Sequence, residues 1–119
     1  MQIRLVSLTA VLAMLANGCG EAPVQKPAAA ARYIYDTGQT PYSAAICIAR
    51  NARQSSDSIQ AEERLVGDSA TEVIVRANGE RLSVVQIRRS GVKSSVIIEV
   101  FRAPGNDSKG FARRLMNNC

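Results

Sequence analysis

The chain has 119 residues, carries a formal net charge of +5 and contains no histidine. Without histidine it lacks the commonest general base and metal ligand, which excludes every Ser-His or Cys-His catalytic arrangement. Aromatic residues make up 4% of the chain and the basic residues are scattered, so we expect no nucleic-acid partner.

Residues 1–18 are typical of an export signal. Arg4 supplies a positive charge, and the uncharged apolar run from Leu5 to Ala16 is too short to span a bilayer as a stable helix. The small residue Gly18 then precedes Cys19. This arrangement resembles the lipobox of bacterial lipoproteins, in which the cysteine is lipidated and the chain is cut directly before it. We therefore predict that residues 1–18 are a signal peptide and that Cys19 is a lipidated N-terminus.

The same segment leaves a second interpretation open. Ala16-Asn17-Gly18 also resembles the A-x-A cut site of ordinary secretion, which would leave an unanchored periplasmic protein. If Cys19 is lipidated, the resemblance to lipoproteins implies the outer membrane, facing the periplasm, because residue 20 is Gly rather than the Asp associated with inner-membrane retention.

A flexible spacer is predicted for residues 19–32. Prolines and alanines dominate its sequence, and Val24 is its one larger apolar residue, so it cannot bury enough surface to fold alone. Residues 33–119 remain for a single small domain.

The first predicted helix begins at Thr40-Pro41, because Thr is a good N-cap and Pro suits the first helical position. Apolar residues then recur at helical spacing up to Arg53, with Cys47 beside their stripe. The segment from Ser58 to Val66 is a weaker candidate for a short strand.

Three clearer strands follow, at residues 72–77, 81–88 and 92–102. Asn78-Gly79 predicts a two-residue hairpin turn between the first two, which would place Val75 opposite Leu82 and Val73 opposite Val84. A three-residue loop, Arg89-Ser90-Gly91, is predicted for the second hairpin. These registers gather one apolar face: Val73, Val75, Leu82, Val84, Val96, Ile98 and Val100.

A last helix is predicted over residues 109–118, capped by Asp107 or Ser108 and followed by Cys119. Cys47 and Cys119 form an even pair in an oxidising compartment, each near the apolar stripe of a helix, so we predict a disulfide between them. The predicted fold class is α+β, with order α-β-β-β-α. Its antiparallel sheet has three strands, or four if Ser58 to Val66 adds one, and both helices pack on one face.

The opposite face of this sheet is the candidate binding face. Apolar and basic side chains mix there, and two helices covering the other face would leave it without a partner in the chain. The residues chosen for it are Ile74, Arg76, Arg81, Val85, Ile97 and Phe101. The alternative is that the spacer, or the segment after Ser58, covers them.

No catalytic, metal or cofactor site is predicted. Cys-x-x-Cys spacing and phosphate-binding glycine loops are absent from the sequence, and the adjacent Glu62 and Glu63 would point to opposite faces of a strand.

The helix segment Ala45 to Ala49, the strands and the helix ending in Cys119 resemble small proteobacterial envelope proteins. The expected function is a non-catalytic envelope lipoprotein, anchored to the membrane through lipid, that binds a protein or cell-wall partner. The alternative is an inhibitor or immunity protein against an envelope-directed hydrolase.

Overall fold

Residues 30–119 are described by a computed structural model, and this part of the chain folds as five antiparallel strands with two α-helices. The predicted signal peptide, Cys19 and the spacer up to residue 29 lie outside the described residues. The elements are β1 (Ala31–Thr37), α1 (Pro41–Ser55), β2 (Ile59–Leu65), β3 (Ala70–Ala77), β4 (Glu80–Ser90), β5 (Lys93–Val100), a 3₁₀ turn (Pro104–Asn106) and α2 (Ser108–Met116).

The prediction of a sheet with three or four strands is wrong. In the described residues the sheet has five strands in the order β1-β5-β4-β3-β2. The weaker candidate, Ser58 to Val66, contains the edge strand β2, and a further strand precedes α1. That strand, β1, pairs along its whole length with β5. It begins at Ala31, so the last two residues assigned to the spacer belong to the sheet. β1 was missed because its partner lies far along the chain, and the exposed Ile34 interrupts its alternation of apolar and polar residues.

The first helix begins where its capping residues predict. The Thr40 hydroxyl accepts a hydrogen bond from the Ser43 backbone N–H at 3.3 Å, and Pro41 occupies the first turn. Its buried face consists largely of alanines around Ile48. Small side chains let the helix axis lie close to the sheet, and α1 accordingly contacts β2, β3 and β4.

The β3–β4 hairpin has the expected turn but a different register. Asn78 and Gly79 both have positive φ, 52° and 76°, as the two-residue turn requires. Arg76 faces Arg81, but the next pair is Val75 with Ser83, because one extra residue forms a β-bulge. The predicted pairing of Val75 with Leu82 is therefore wrong.

This bulge changes the faces of the rest of β4. Val73 pairs with Val85, and Val84 pairs with Ile74, whereas the predicted register placed Val84 opposite Val73. Side chains alternate along a strand, so a shift of one residue exchanges the two faces. Val85 becomes fully buried core and Val84 moves to the other side of the sheet.

The β4–β5 hairpin also differs from its predicted form. Ser90 pairs with Lys93, so the loop contains Gly91 and Val92 instead of the three residues expected. Gly91 has a φ of 65° at the first central position, where a II′ turn favours glycine. This turn agrees with the shifted register of β4, because it places Val85 opposite Ile98.

The core lies between the sheet and the two helices. Its largest fully buried side chains include Phe111 and Leu115 from α2 and Ile48 from α1. Polar groups that enter this layer are hydrogen-bonded: the Ser83 hydroxyl donates to the Glu99 carbonyl, and the Ser94 hydroxyl donates to the Gln39 carbonyl, each at 2.7 Å.

Candidate functional site: the outer sheet face and the disulfide

The predicted disulfide is confirmed. The sulfurs of Cys47 and Cys119 are 2.03 Å apart and their Cα atoms are separated by 5.8 Å. Cys47 lies on α1 and is 5% exposed, whereas Cys119 follows α2 at the end of the chain. The bond therefore ties the segment that follows α2 to the middle of α1.

Hydrogen bonds hold the same corner. The Asn51 side-chain amide donates to the backbone carbonyls of Leu115 and Asn117, at 2.8 Å each. The Thr37 hydroxyl and the Gln39 amide donate to the Cys119 carbonyl. Asn51 thus satisfies carbonyls that the end of α2 leaves without helical partners. No motif in the sequence points to this role of Asn51.

The side of the sheet turned away from α1 and α2 is called the outer face below. Five of the six candidate binding residues lie on it: Ile74, Arg76, Arg81, Ile97 and Phe101. Placing Val85 there was wrong, because the bulge turns its side chain into the core. Val84 and Ile34, which the candidate set did not include, lie on the outer face instead.

Four apolar residues form an oblique band across the outer face, which we call the outer stripe: Ile34, Ile97, Val84 and Ile74. Ile34 and Ile97 face each other across β1 and β5, and Val84 and Ile74 across β4 and β3. The two pairs are diagonal neighbours. Ile97 of β5 lies opposite Gln86 of β4, and the next pair on the same face is Val84 with Glu99, so Ile97 and Val84 are one step apart on adjacent strands. Ile34 is 66% exposed, so the stripe is open to solvent at the β1 end.

At the other end of the stripe, Ile74 is buried although it lies on the face turned away from α1 and α2. It is 2% exposed and lies in a depression of about 140 Å³ that is also lined by Gln60, Ala61, Glu62 and Arg76. Arg76 and Glu62 form an ion pair of 3.3 Å beside it. The alkyl part of a long side chain can shield apolar surface while its charged end stays in water, and Arg76 lies beside Ile74 in this depression.

The outer face carries charges of both signs. The basic residues are Arg32, Arg64, Arg76, Arg81, Arg88 and Lys93, and the acidic residues are Asp36, Glu62, Glu72 and Glu99. A hydrogen bond from Arg64, with a further contribution from Arg76, lowers the pKa of the exposed Glu62. Within residues 30–119, Arg81 has no carboxylate within 4.0 Å.

The side chains of the adjacent Glu62 and Glu63 point to opposite faces of the sheet, as the alternation of a strand requires. Glu62 lies on the outer face, whereas Glu63 points to the helical side and pairs with Arg53 of α1 at 3.3 Å.

A cleft on the helical side is a feature that the sequence did not predict. It has a volume of about 370 Å³ and is lined by Asn51, Gln54, Ser55, Arg113, Arg114 and Asn117. The Arg113-Arg114 pair was visible in the sequence, but its position opposite α1 depends on how the helices pack. Among the described residues, no group of three Cys, Asp or Glu side chains lies close enough together to hold a metal ion.

No protein-family model and no curated protein matches this chain. The helices of residues 30–119 also include none with the length and apolar character needed to cross a membrane.

Proposed function

We propose that this protein is a non-catalytic envelope lipoprotein that binds a protein partner through its outer face. The observation that carries the proposal is the apolar stripe, exposed at Ile34 and half-buried at Ile97 and Val84, on a sheet face over which neither α1 nor α2 packs. The core is already complete between the other face and the helices, so the stripe serves no packing role there. Exposed apolar residues grouped on one surface and bordered by charge are typical of protein interaction sites.

The charge pattern supports a protein over a polyanionic cell-wall component. A surface that binds a polyanion needs a field of one sign, whereas β1, β2, β3 and β5 each carry both an acidic and a basic residue on this face. An interface of mixed sign suits a folded partner whose charges complement it, because such pairs set orientation and specificity.

The proposed anchor limits where the partner can lie. If Cys19 is lipidated, the first residue of β1, Ala31, lies twelve positions after the anchor. A fully extended chain of that length reaches about 40 Å, so we expect the outer face to work near the membrane surface. Gly20 favours the outer membrane, as the resemblance to lipoproteins implies.

The proposal can be tested with a photo-activated cross-linking residue at position 97 of the full chain in its native envelope. The matched control carries the same residue at position 46, because Ile46 is 40% exposed on α1, in the opposite layer. We expect a discrete cross-linked product from position 97 and none of the same mass from position 46. Equal products from both positions would contradict a specific outer-face site.

A double variant separates binding from folding. Ile97→Ser with Phe101→Ser changes two half-buried outer-face residues, and we expect a folded protein that no longer forms the cross-link from a probe at position 84, on β4 and away from the sheet edge. Ile98→Ser is the matched control: its side chain is fully buried against the helices, so we expect it to unfold the domain. If the double variant unfolds as well, the outer face belongs to the core and the proposal fails. Capture of a hydrolase whose activity falls on binding would favour the inhibitor alternative.

A further inference from the structure

The free edge of β1 differs from the other edge of the sheet. Within residues 30–119, β1 pairs with β5 on one side and β2 pairs with β3 on one side, which leaves each with an open row of backbone groups. β2 carries three consecutive charged residues from Glu62 to Arg64, a device that discourages strands from adding to an edge. β1 has Tyr33, Ile34 and Tyr35 at its centre, with neither proline nor bulge.

The sequence of β1 is complementary to itself. In an antiparallel pair of two β1 strands centred on Ile34, Arg32 lies opposite Asp36 of the second copy, and Asp36 lies opposite its Arg32. On the helical side, Tyr33 lies opposite Tyr35 of the second copy. If the pair were centred on Tyr33 or Tyr35 instead, Ile34 would lie opposite a charged residue, Arg32 or Asp36 respectively. The remaining charged residue of β1 would then have no opposite charge across from it.

We propose that β1 is a homodimerisation edge, at which two copies of this chain join about a two-fold axis through Ile34. The partner strand belongs to a second copy because the pair of opposite charges and the pair of tyrosines each form twice in this register. A two-fold interface requires every contact to occur twice in this way. Pairing also removes the most exposed residue of the outer stripe from water, since the two Ile34 side chains meet on the outer face.

This arrangement extends the proposed binding surface without depending on it. The two sheets become continuous, so the stripe runs from Ile97 and Ile34 of one copy to Ile34 and Ile97 of the other. The dimer rests on the free edge of β1, whereas partner binding rests on the exposed face of the sheet. Each can fail without the other.

Cysteine cross-linking of the full chain tests the register. Residues directly opposite in an antiparallel pair have Cα atoms about 4.5–5.5 Å apart, a separation that a disulfide can bridge. We expect Ile34→Cys to give a covalent dimer under mild oxidation, seen on a non-reducing gel. Gln60→Cys, at an exposed position on the β2 edge, is the matched control and should stay monomeric. The unchanged chain reports any cross-linking through Cys19.

Charge variants in the Ile34→Cys background test the pairing itself. Arg32→Asp places like charges opposite each other twice in every dimer, so we expect about a ten-fold loss of cross-linked product. Asp36→Arg should act in the same way, and the double variant with both changes should recover the original yield. Circular dichroism and an intact Cys47–Cys119 bond would show that the single variants remain folded.

Three outcomes would overturn the proposal. Equal yields from positions 34 and 60 would indicate random collision. A product of Ile34→Cys with the mass of a different protein would assign the edge to another partner. Loss of product in both single charge variants without recovery in the double variant would show that the two charges do not face each other.

Discussion

The disulfide between Cys47 and Cys119 is expected to supply a large part of the stability of this domain. The perturbation is its removal, by reduction or by the double variant Cys47→Ala with Cys119→Ala. The bond closes a loop with a sequence separation of 72 residues that contains most of the sheet. Breaking it removes the covalent link between Cys119 and α1, while the hydrogen bonds from Asn51, Thr37 and Gln39 remain.

The size of the effect follows from the length of the loop. In the chain-entropy model, closing a loop of this length lowers the entropy of the unfolded chain by an amount worth about 4 kcal/mol at 25 °C. Small domains unfold with about 5–15 kcal/mol, so the loss is a large share of the total free energy of unfolding. For a domain of this size it corresponds to a decrease in Tm of about 15–30 °C.

Equilibrium unfolding in urea, with and without a reductant, measures this loss. The double alanine variant is the control, because its midpoint should not respond to the reductant. Hydrogen exchange should show the largest loss of protection in α2, where the bond attaches. A decrease below about 1 kcal/mol would refute the reasoning, since it would mean that the loop is already constrained in the unfolded chain.

Three further predictions concern single residues. Asn51→Ala should lower the free energy of unfolding by about 1–2 kcal/mol, because the carbonyls at the end of α2 lose their donor. The control Gln54→Ala, at an exposed position nearby, should change it by less than about 0.5 kcal/mol in the same urea assay. NMR titration should find the pKa of Glu62 below its ordinary value, and the stabilisation linked to it is present at neutral pH and lost as the pH falls through that lowered pKa. Arg64→Ala should raise the pKa of Glu62, and an unchanged pKa in that variant would show that Arg64 is not the cause of the shift. Mass spectrometry of the mature protein should find acyl chains on Cys19, and Cys19→Ala should leave unprocessed precursor; a soluble, unlipidated chain would restore the interpretation as ordinary secretion.

Local chemistry made several features readable from the sequence alone. The cap formed by Thr40 and Pro41 marks the start of α1, and Asp107 caps α2 through the Gly110 backbone N–H at 2.9 Å. Asn78-Gly79 predicts a hairpin turn because both residues tolerate positive φ. These signals involve residues a few positions apart, so they do not depend on the rest of the fold. The disulfide followed from the even number of remaining cysteines and the helical position of each.

Tertiary structure decided the number of strands and the faces of β4. β1 forms because β5, more than fifty residues later in the sequence, offers it an edge to pair with, and a short pattern of alternating residues cannot reveal such a distant partner. The bulge between Arg76 and Val75 shifts the register by one residue, which buries Val85 and moves Val84 to the outer face. Both positions hold valine, so the sequence is equally compatible with either register. The choice is made by packing against the helices and by the two-residue turn at Gly91, because only one register satisfies both hairpins and the core together.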